Sequence, residues 1–270
     1  MLNTGYTIVL NRVKQILIGD PLSSEMMEHE HIPKWKALAV LSSDALSSVA
    51  YATEEILIPL SLFAASAMAW SIPIACTVAL LLFVITISYR QTIDAYPNGG
   101  GAYTVAKDNL GVNAGLVAGA ALLIDYTLTV AVSISAGVEN IASAFPFIGQ
   151  HNVIVCITII GFITIMNLRG IRESSNIFAL PTYLFIASFL IMIGAGFYKY
   201  LTGQIPNPAP IIHETYPVIP LFLLMRAFSS GCAALTGIEA ISNGIPIFKK
   251  PAQKNAKITM LWMCVILGSL

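Results

Sequence analysis

The chain has 270 residues, of which 56% are hydrophobic and only 10% charged. Soluble domains carry roughly 25% charged residues, so this composition excludes an ordinary soluble protein and identifies an integral membrane protein with several spans. The 14 basic and 14 acidic side chains cancel, which leaves no electrostatic footprint for nucleic acid. Apolar segments of helical length recur, and the alternation of a membrane β-barrel is absent. The fold class is therefore all-α and polytopic.

Residues 1–35 read as a cytoplasmic lead-in, in which Tyr6, Ile8, Val9, Val13, Ile16 and Leu17 share one face opposite Arg12 and Lys14. That pattern suits a helix lying on the membrane surface. No small-residue cleavage site follows an apolar core here, so no cleavable signal peptide is expected. Residues 36–270 read as the membrane domain. Span one is expected over 36–61 and span two over 71–89. The stretch from Tyr89 to Gly111 contains Pro97-Asn98-Gly99-Gly100-Gly101, which cannot be helix interior. It reads as a short loop folded against the bundle, not a phosphate loop, because no Lys-Ser/Thr follows the glycines.

Span three is expected over 114–142, span four over 153–168 and span five over 177–201. A proline-rich external loop occupies 202–218. Span six is expected over 219–248, interrupted at Gly231, Gly237 and Gly244. A seventh apolar run starts near Ile258, and its shortness leads us to expect a fragment of a larger transporter. Cys76, Cys156, Cys232 and Cys264 each stand alone in apolar runs and read as packing residues. The four histidines fall in expected loops or tails, with no metal-ligand spacing. No cofactor is expected. Placing the N-terminus inside puts 12 of the 14 basic residues on the cytoplasmic side, with Lys199 outside and Arg226 within span six.

The polar residues inside the spans carry the functional reading. Span one contains Asp44, Tyr51, Glu54, Glu55 and four serines between Leu41 and Ile58. Ionisable groups at membrane depth are costly and mark sites, and irregular backbone survives there only where it lines a cavity. A broken helix lining a cation site is expected. In span three, Asp125, Thr129 and Ser133 fall at i, i+4 and i+8, one helical face, bordered by Tyr126. In span six, Thr236 and Glu239 are three residues apart, with Ser242 and Asn243 a turn beyond. Asp125 and Glu239 each carry an insertion penalty of about 2.5–3.5 kcal/mol. Converging hydroxyls, carboxylates and carbonyls can replace the water shell of an alkali cation. Glu239 is the candidate proton-coupling acid, with pairing to Arg226 the plainer alternative. Glu54, Glu55 and Glu139 read as vestibule or structural groups. Aligning Leu41–Pro59 with Phe228–Pro246 matches Ser42-Ser43 to Ser229-Ser230, Ile58 to Ile245 and Pro59 to Pro246. Paired interrupted helices in matching positions of two halves point to a transporter's central site.

The stretches LSSDALSSVAY, SYRQTIDAYPNGGGAY, LLIDYTLTVAVSISAG, NLRGIRES and RAFSSGCAALTGIEAISNGIPIFK resemble the KimA-type bacterial potassium transporters. These belong to the amino acid–polyamine–organocation superfamily and are related to the KUP systems. The resemblance runs from about Ile16 to the end. It implies a five-plus-five inverted-repeat fold with twelve spans and broken helices one and six. It also implies proton-coupled potassium uptake across the bacterial plasma membrane by a homodimer that a cytosolic domain, absent here, subjects to cyclic di-AMP. Carried over residue by residue, the potassium ligands and pathway acids are Asp44, Tyr51, Asp125, Thr129, Ser133, Thr236 and Glu239. A further aromatic hydroxyl is expected from a later span. The rival on the same fold is an amino acid or polyamine permease. Asp44 opposes one that binds a carboxylate, because a carboxylate site should not place an acid at the break. An intramembrane aspartyl enzyme using Asp44 and Asp125 lacks the Gly-rich aspartate motif it needs. A channel or sensor stays open.

Overall fold

The computed structural model describes residues 15, 19, 31–63, 65–204 and 219–270, and among these helices joined by turns and short irregular segments dominate, with one isolated bridge. The surface-helix reading of 1–30, together with His29, His213 and the proline-rich loop at 205–218, lies outside the described residues apart from Gln15 and Gly19. The first span is two helices, α1 (Lys34–Leu41) and α2 (Ser43–Phe63). A 3₁₀ turn, Ala65–Trp70, leads into α3 (Ser71–Ala95). Then come α4 (Ala102–Leu110), α5 (Val112–Ala144), α6 (Pro146–Gly149), α7 (Asn152–Leu168) and α8 (Ile171–Leu201). The sixth span begins with α9 (Leu221–Gly231) and a 3₁₀ turn, Cys232–Leu235. It resumes as α10 (Ala240–Asn243), and α11 (Ala252–Ser269) follows.

Most span boundaries lie outside their expected limits. Span two continues six residues past Tyr89 to Ala95, since no proline or glycine interrupts the chain before Pro97. Span five starts at Ile171 instead of 177. Gly170, at φ +112°, is the true breaker. Arg169 and Glu173, paired at 3.1 Å, support the first turn. Likewise α11 starts at Ala252, just after Pro251.

The interruption of span one is slighter than its serines suggest. Ser42 sits at φ −100°, ψ −1°. The main-chain ladder bridges it, with Ser42 N–H donating to Leu38 at 2.9 Å and Leu46 N–H to Ser42 at 2.8 Å. Hydroxyls take up the neighbouring carbonyls. Ser42 donates to Leu38, Ser43 to Val40 at 2.9 Å, and Thr182 of α8 to Ala39 at 3.3 Å. Serines bonding back to their own helix bend it without opening it. The interruption of span six is wide. Thr236 is extended (φ −66°, ψ 142°) and Gly237 is left-handed at φ +80°. The sequence alignment of the two spans is therefore out of register, since it sets Ser42 against Ser229, inside α9, while the break lies at Thr236–Gly237.

Two apolar clusters hold these pieces. One gathers Ala45 and Leu46 of α2, Leu82 and Ile93 of α3, Ile238, Ile241 and Ile245 around the second break, and Met260 and Met263 of α11. The other joins Ile56 and Leu60 to Ile74, Val78 and Ala227. Gly231 lets α9 close on α2, for a Cβ there would lie 2.6 Å from Ile56 Cγ1. Just before α1, Ile32 bridges to the chain beyond the second break, donating to Ile247 at 2.9 Å and accepting from Lys249 at 3.2 Å. The outward faces stay apolar. Leu116, Val117, Leu123 and Leu128 of α5 and Leu180, Leu184 and Ile191 of α8 are all exposed, the arrangement of helices solvated by lipid. Among the described residues five helices have the length and composition to cross a bilayer, and α7 is a shorter apolar helix. This is a multi-pass membrane protein.

Candidate functional site

Asp44, in the first turn of α2, meets the second break directly. A Cβ on Gly237 would fall 2.7 Å from Asp44 Oδ2 and 3.0 Å from the Ala45 nitrogen. Only a residue without a side chain, at a positive φ, lets the extended backbone of span six lie this close to the carboxylate. The other oxygen, Asp44 Oδ1, is buried and accepts no hydrogen bond. A buried carboxylate oxygen without a donor is strongly disfavoured unless a cation or a proton joins it. The donor set here thus suits a cation.

The other candidate residues divide between two cavities. The first, about 630 Å³, lies among α2, α5 and α8 and is lined by Ser47, Tyr51, Glu54, Ser133, Glu139 and Thr182, among others. Its polar wall begins where Ser47 Oγ meets Ser133 Oγ at 3.1 Å, and Tyr51 Oη bonds Ser48 Oγ at 3.0 Å. The second, about 410 Å³, is lined by Tyr89, Ala102, Asp125, Thr236 and Glu239, with Cys232 and Leu235. Asp44 precedes Ser47 by about one turn on α2, and Asp125 precedes Ser133 by about 12 Å on α5. α5 thus lines both cavities, while α2 lines the first and places Asp44 at the second break.

One convergent site was the expectation, and the structure spreads it out. No single ion can touch both Asp125 and Ser133 across that rise. Among the described residues no three His, Cys, Asp or Glu side chains come together to hold a metal ion. Thr129, half-buried on α5, lines neither cavity. Asp125 and Ser133 line different cavities and stand about 12 Å apart along α5. Glu239 is buried, at 9% exposure. It makes no ion pair with Arg226, since the ion pairs among the described residues are Arg169–Glu173 and Lys257–Asp94. The Tyr126 hydroxyl on α5 accepts a hydrogen bond from Asn243 Nδ2 at 3.2 Å. Glu54 and Glu139 line the first cavity, while Glu55 does not.

Several contributors escaped the sequence reading. Thr182 and Ser47 are hydroxyl residues of the kind that usually bond back to their own helix, and only the tertiary fold brings them to the cavity. Tyr89 was placed at the edge of a loop and lies inside α3. The glycine loop packs as expected against the bundle, and its partner is Ser242-Asn243. Gly100 N–H donates to Ser242 O at 3.4 Å, and Ser242 Oγ donates back to Gly100 O at 3.2 Å.

Comparison with known proteins agrees with this architecture. Residues 33–270 match the family model described as amino acid permease. The chain is 54% identical over 260 residues to the potassium transporter KimA of Bacillus subtilis (strain 168), covering 96% of this chain and 43% of that protein. It is 24% identical over 177 residues to the low-affinity putrescine importer PlaP of Escherichia coli (strain K12), covering 64% of this chain and 38% of that one. The chain therefore spans less than half the length of these relatives. With a match that takes in every described helix, the chain belongs to the amino acid permease family.

Proposed function

We propose that the whole protein is a secondary active transporter that imports potassium, coupled to protons, and that it is not an enzyme. The observation that carries this reading is Asp44, whose Oδ1 is buried without a donor at the broken backbone of span six. A cation stripped of water is the partner such an oxygen lacks. Asp44 and Asp125 set the preference for positive charge, and the hydroxyls of Tyr51, Thr129, Ser133 and Thr236 serve as ligands along the path. Glu239, buried beside the second cavity, takes and releases the coupling proton. Protonation removes its charge, so the path alternates between attracting and releasing the ion. The likeness to a protein named as a potassium transporter supports the substrate. In this reading 36–270 is part of the transporter domain, with 1–35 cytoplasmic. The protein sits in the bacterial cell membrane with its N-terminus inside, as a five-plus-five inverted repeat. Homodimerisation and control by cyclic di-AMP belong to the same reading and rest on the family resemblance.

A second reading is favoured by the putrescine importer. Putrescine is also cationic, and Asp44 would suit an ammonium group. Uptake by a potassium-import-deficient bacterium expressing the full-length protein separates the two. Restored growth at low potassium, lost in Asp44→Asn, supports potassium. Putrescine uptake without potassium uptake would install the polyamine reading instead.

A further inference from the structure

A hydroxyl carries one proton to donate, and this fixes the direction of the contact between α2 and α5. Ser47 Oγ donates to the Asp44 carbonyl at 2.8 Å. A carbonyl can only accept, so that bond uses the Ser47 proton. At the 3.1 Å contact with Ser133 Oγ, Ser47 is therefore the acceptor and Ser133 the donor. Thr127 and Ser143, also on α5, donate back to Leu123 and Asn140 of their own helix at 2.7 Å. Ser133 instead reaches across, and among the described residues this is the hydrogen bond that joins α5 to α2. Its proton is drawn toward Ser47, and the lone pairs of Ser133 Oγ are left for the first cavity, which both serines line.

We infer that Ser47 is a positioning residue for potassium: it accepts the Ser133 proton and so presents Ser133 Oγ to the first cavity as an oxygen ligand. This rests on the reading of Ser133 as a ligand on the potassium path. A hydroxyl whose proton points into a cavity repels a cation, whereas one whose proton is bound elsewhere offers oxygen alone. The two bonds run in one direction, from Ser133 to Ser47 to the Asp44 carbonyl. Hydrogen bonds aligned in this way polarise one another, so the Ser133 oxygen becomes a better partner for positive charge. They also tie a ligand on α5 to the backbone of the residue whose carboxylate stands at the second break. Without the Ser47 hydroxyl, Ser133 falls back to a carbonyl of its own preceding turn, as Thr127 and Ser143 do, and its oxygen turns away from the cavity.

The test is the initial rate of potassium uptake against external potassium concentration, in potassium-import-deficient cells expressing the full-length protein. The variants are Ser47→Ala, Ser47→Thr, Ser133→Ala and the Ser47→Ala/Ser133→Ala double substitution. Ser47→Ala should raise KM about tenfold, with the maximal rate within a few-fold of wild type. Ser47→Thr, whose hydroxyl makes the same bond back to the preceding turn, should restore KM to within about twofold of wild type. Ser133→Ala should raise KM at least as far, and adding Ser47→Ala should raise it no further, because Ser47 acts through Ser133. An unmoved KM in Ser47→Ala, a loss of maximal rate alone, or effects that multiply in the double variant would overturn the inference. If Ser47→Ala does not reach the membrane, Ser47→Cys, a weaker acceptor of similar size, is read by the same criteria. A wild type that imports potassium with a KM unchanged in Ser133→Ala removes Ser133 as a ligand and this inference with it. A wild type that imports no potassium overturns the transport reading itself.

Discussion

Asp44 is the residue on which the site turns, with one oxygen against bare backbone and the other buried without a donor. Asp44→Asn keeps its shape and removes its charge. Potassium uptake should fall at least about tenfold, the equivalent of one 1.4 kcal/mol interaction, while the protein stays folded, because an amide is cheaper to bury than a carboxylate. Equal uptake by the variant, measured at matched expression, would remove Asp44 from the path. Gly237 is its counterpart. Gly237→Ala strains a left-handed position by about 1–2 kcal/mol and drives a methyl group into the carboxylate, so both thermal stability in detergent and uptake should drop. The acids were legible in the sequence because an ionisable group in an apolar run is expensive and needs a reason. The hydroxyls were less so. Ser133 was legible from its helical spacing with Asp125, whereas its partner Ser47 and the contribution of Thr182 depend on how helices cross, which no local pattern records.

At the scale of elements, the two broken spans differ in kind. Span six opens at Thr236–Gly237, and its glycine betrayed the place. Span one only bends at Ser42, because hydroxyls from Ser42, Ser43 and Thr182 serve the carbonyls that a wider break would have freed. Serine content signals a bend and a break alike, so the sequence could mark the spot without its width. The same ambiguity set the two spans out of register. The bend of span one is held from α8, where Thr182 donates to Ala39, Tyr183 donates to Trp35 O at 2.7 Å, and Lys36 bonds Asn176. Thr182→Val with Tyr183→Phe should cost about 1 kcal/mol per bond, read as a lower melting temperature in detergent. An unchanged melting temperature would show that α8 does not brace α1. Gly231→Val tests the other contact, between α9 and α2. Adding a side chain where a Cβ already lies 2.6 Å from Ile56 should destabilise the protein by about 1–3 kcal/mol.

For the whole molecule, composition alone established a helical membrane protein, and the exposed apolar faces of α5 and α8 bear it out. In the orientation we propose from the distribution of basic residues, α4 and the Lys249–Lys257 segment face inward and α6 outward. Single cysteines at Asp108 and Phe147, introduced on a background lacking the native thiols, should divide accordingly. A membrane-impermeant thiol reagent applied to intact cells should label the second and spare the first, and the reverse pattern would invert the topology. What composition could not give is the division of the polar residues between two cavities along α5, because that depends on how the breaks meet in space.

In the function proposed here, these cavities and the Asp44 junction form one path for a desolvated potassium ion coupled to protons. Its most direct test is potassium flux into proteoliposomes holding the purified full-length protein, with and without an imposed inward proton gradient. The gradient should drive uptake that Asp44→Asn abolishes and that putrescine or amino acids do not replace. Potassium flux indifferent to the proton gradient, or absent while an organic cation is carried, would contradict it.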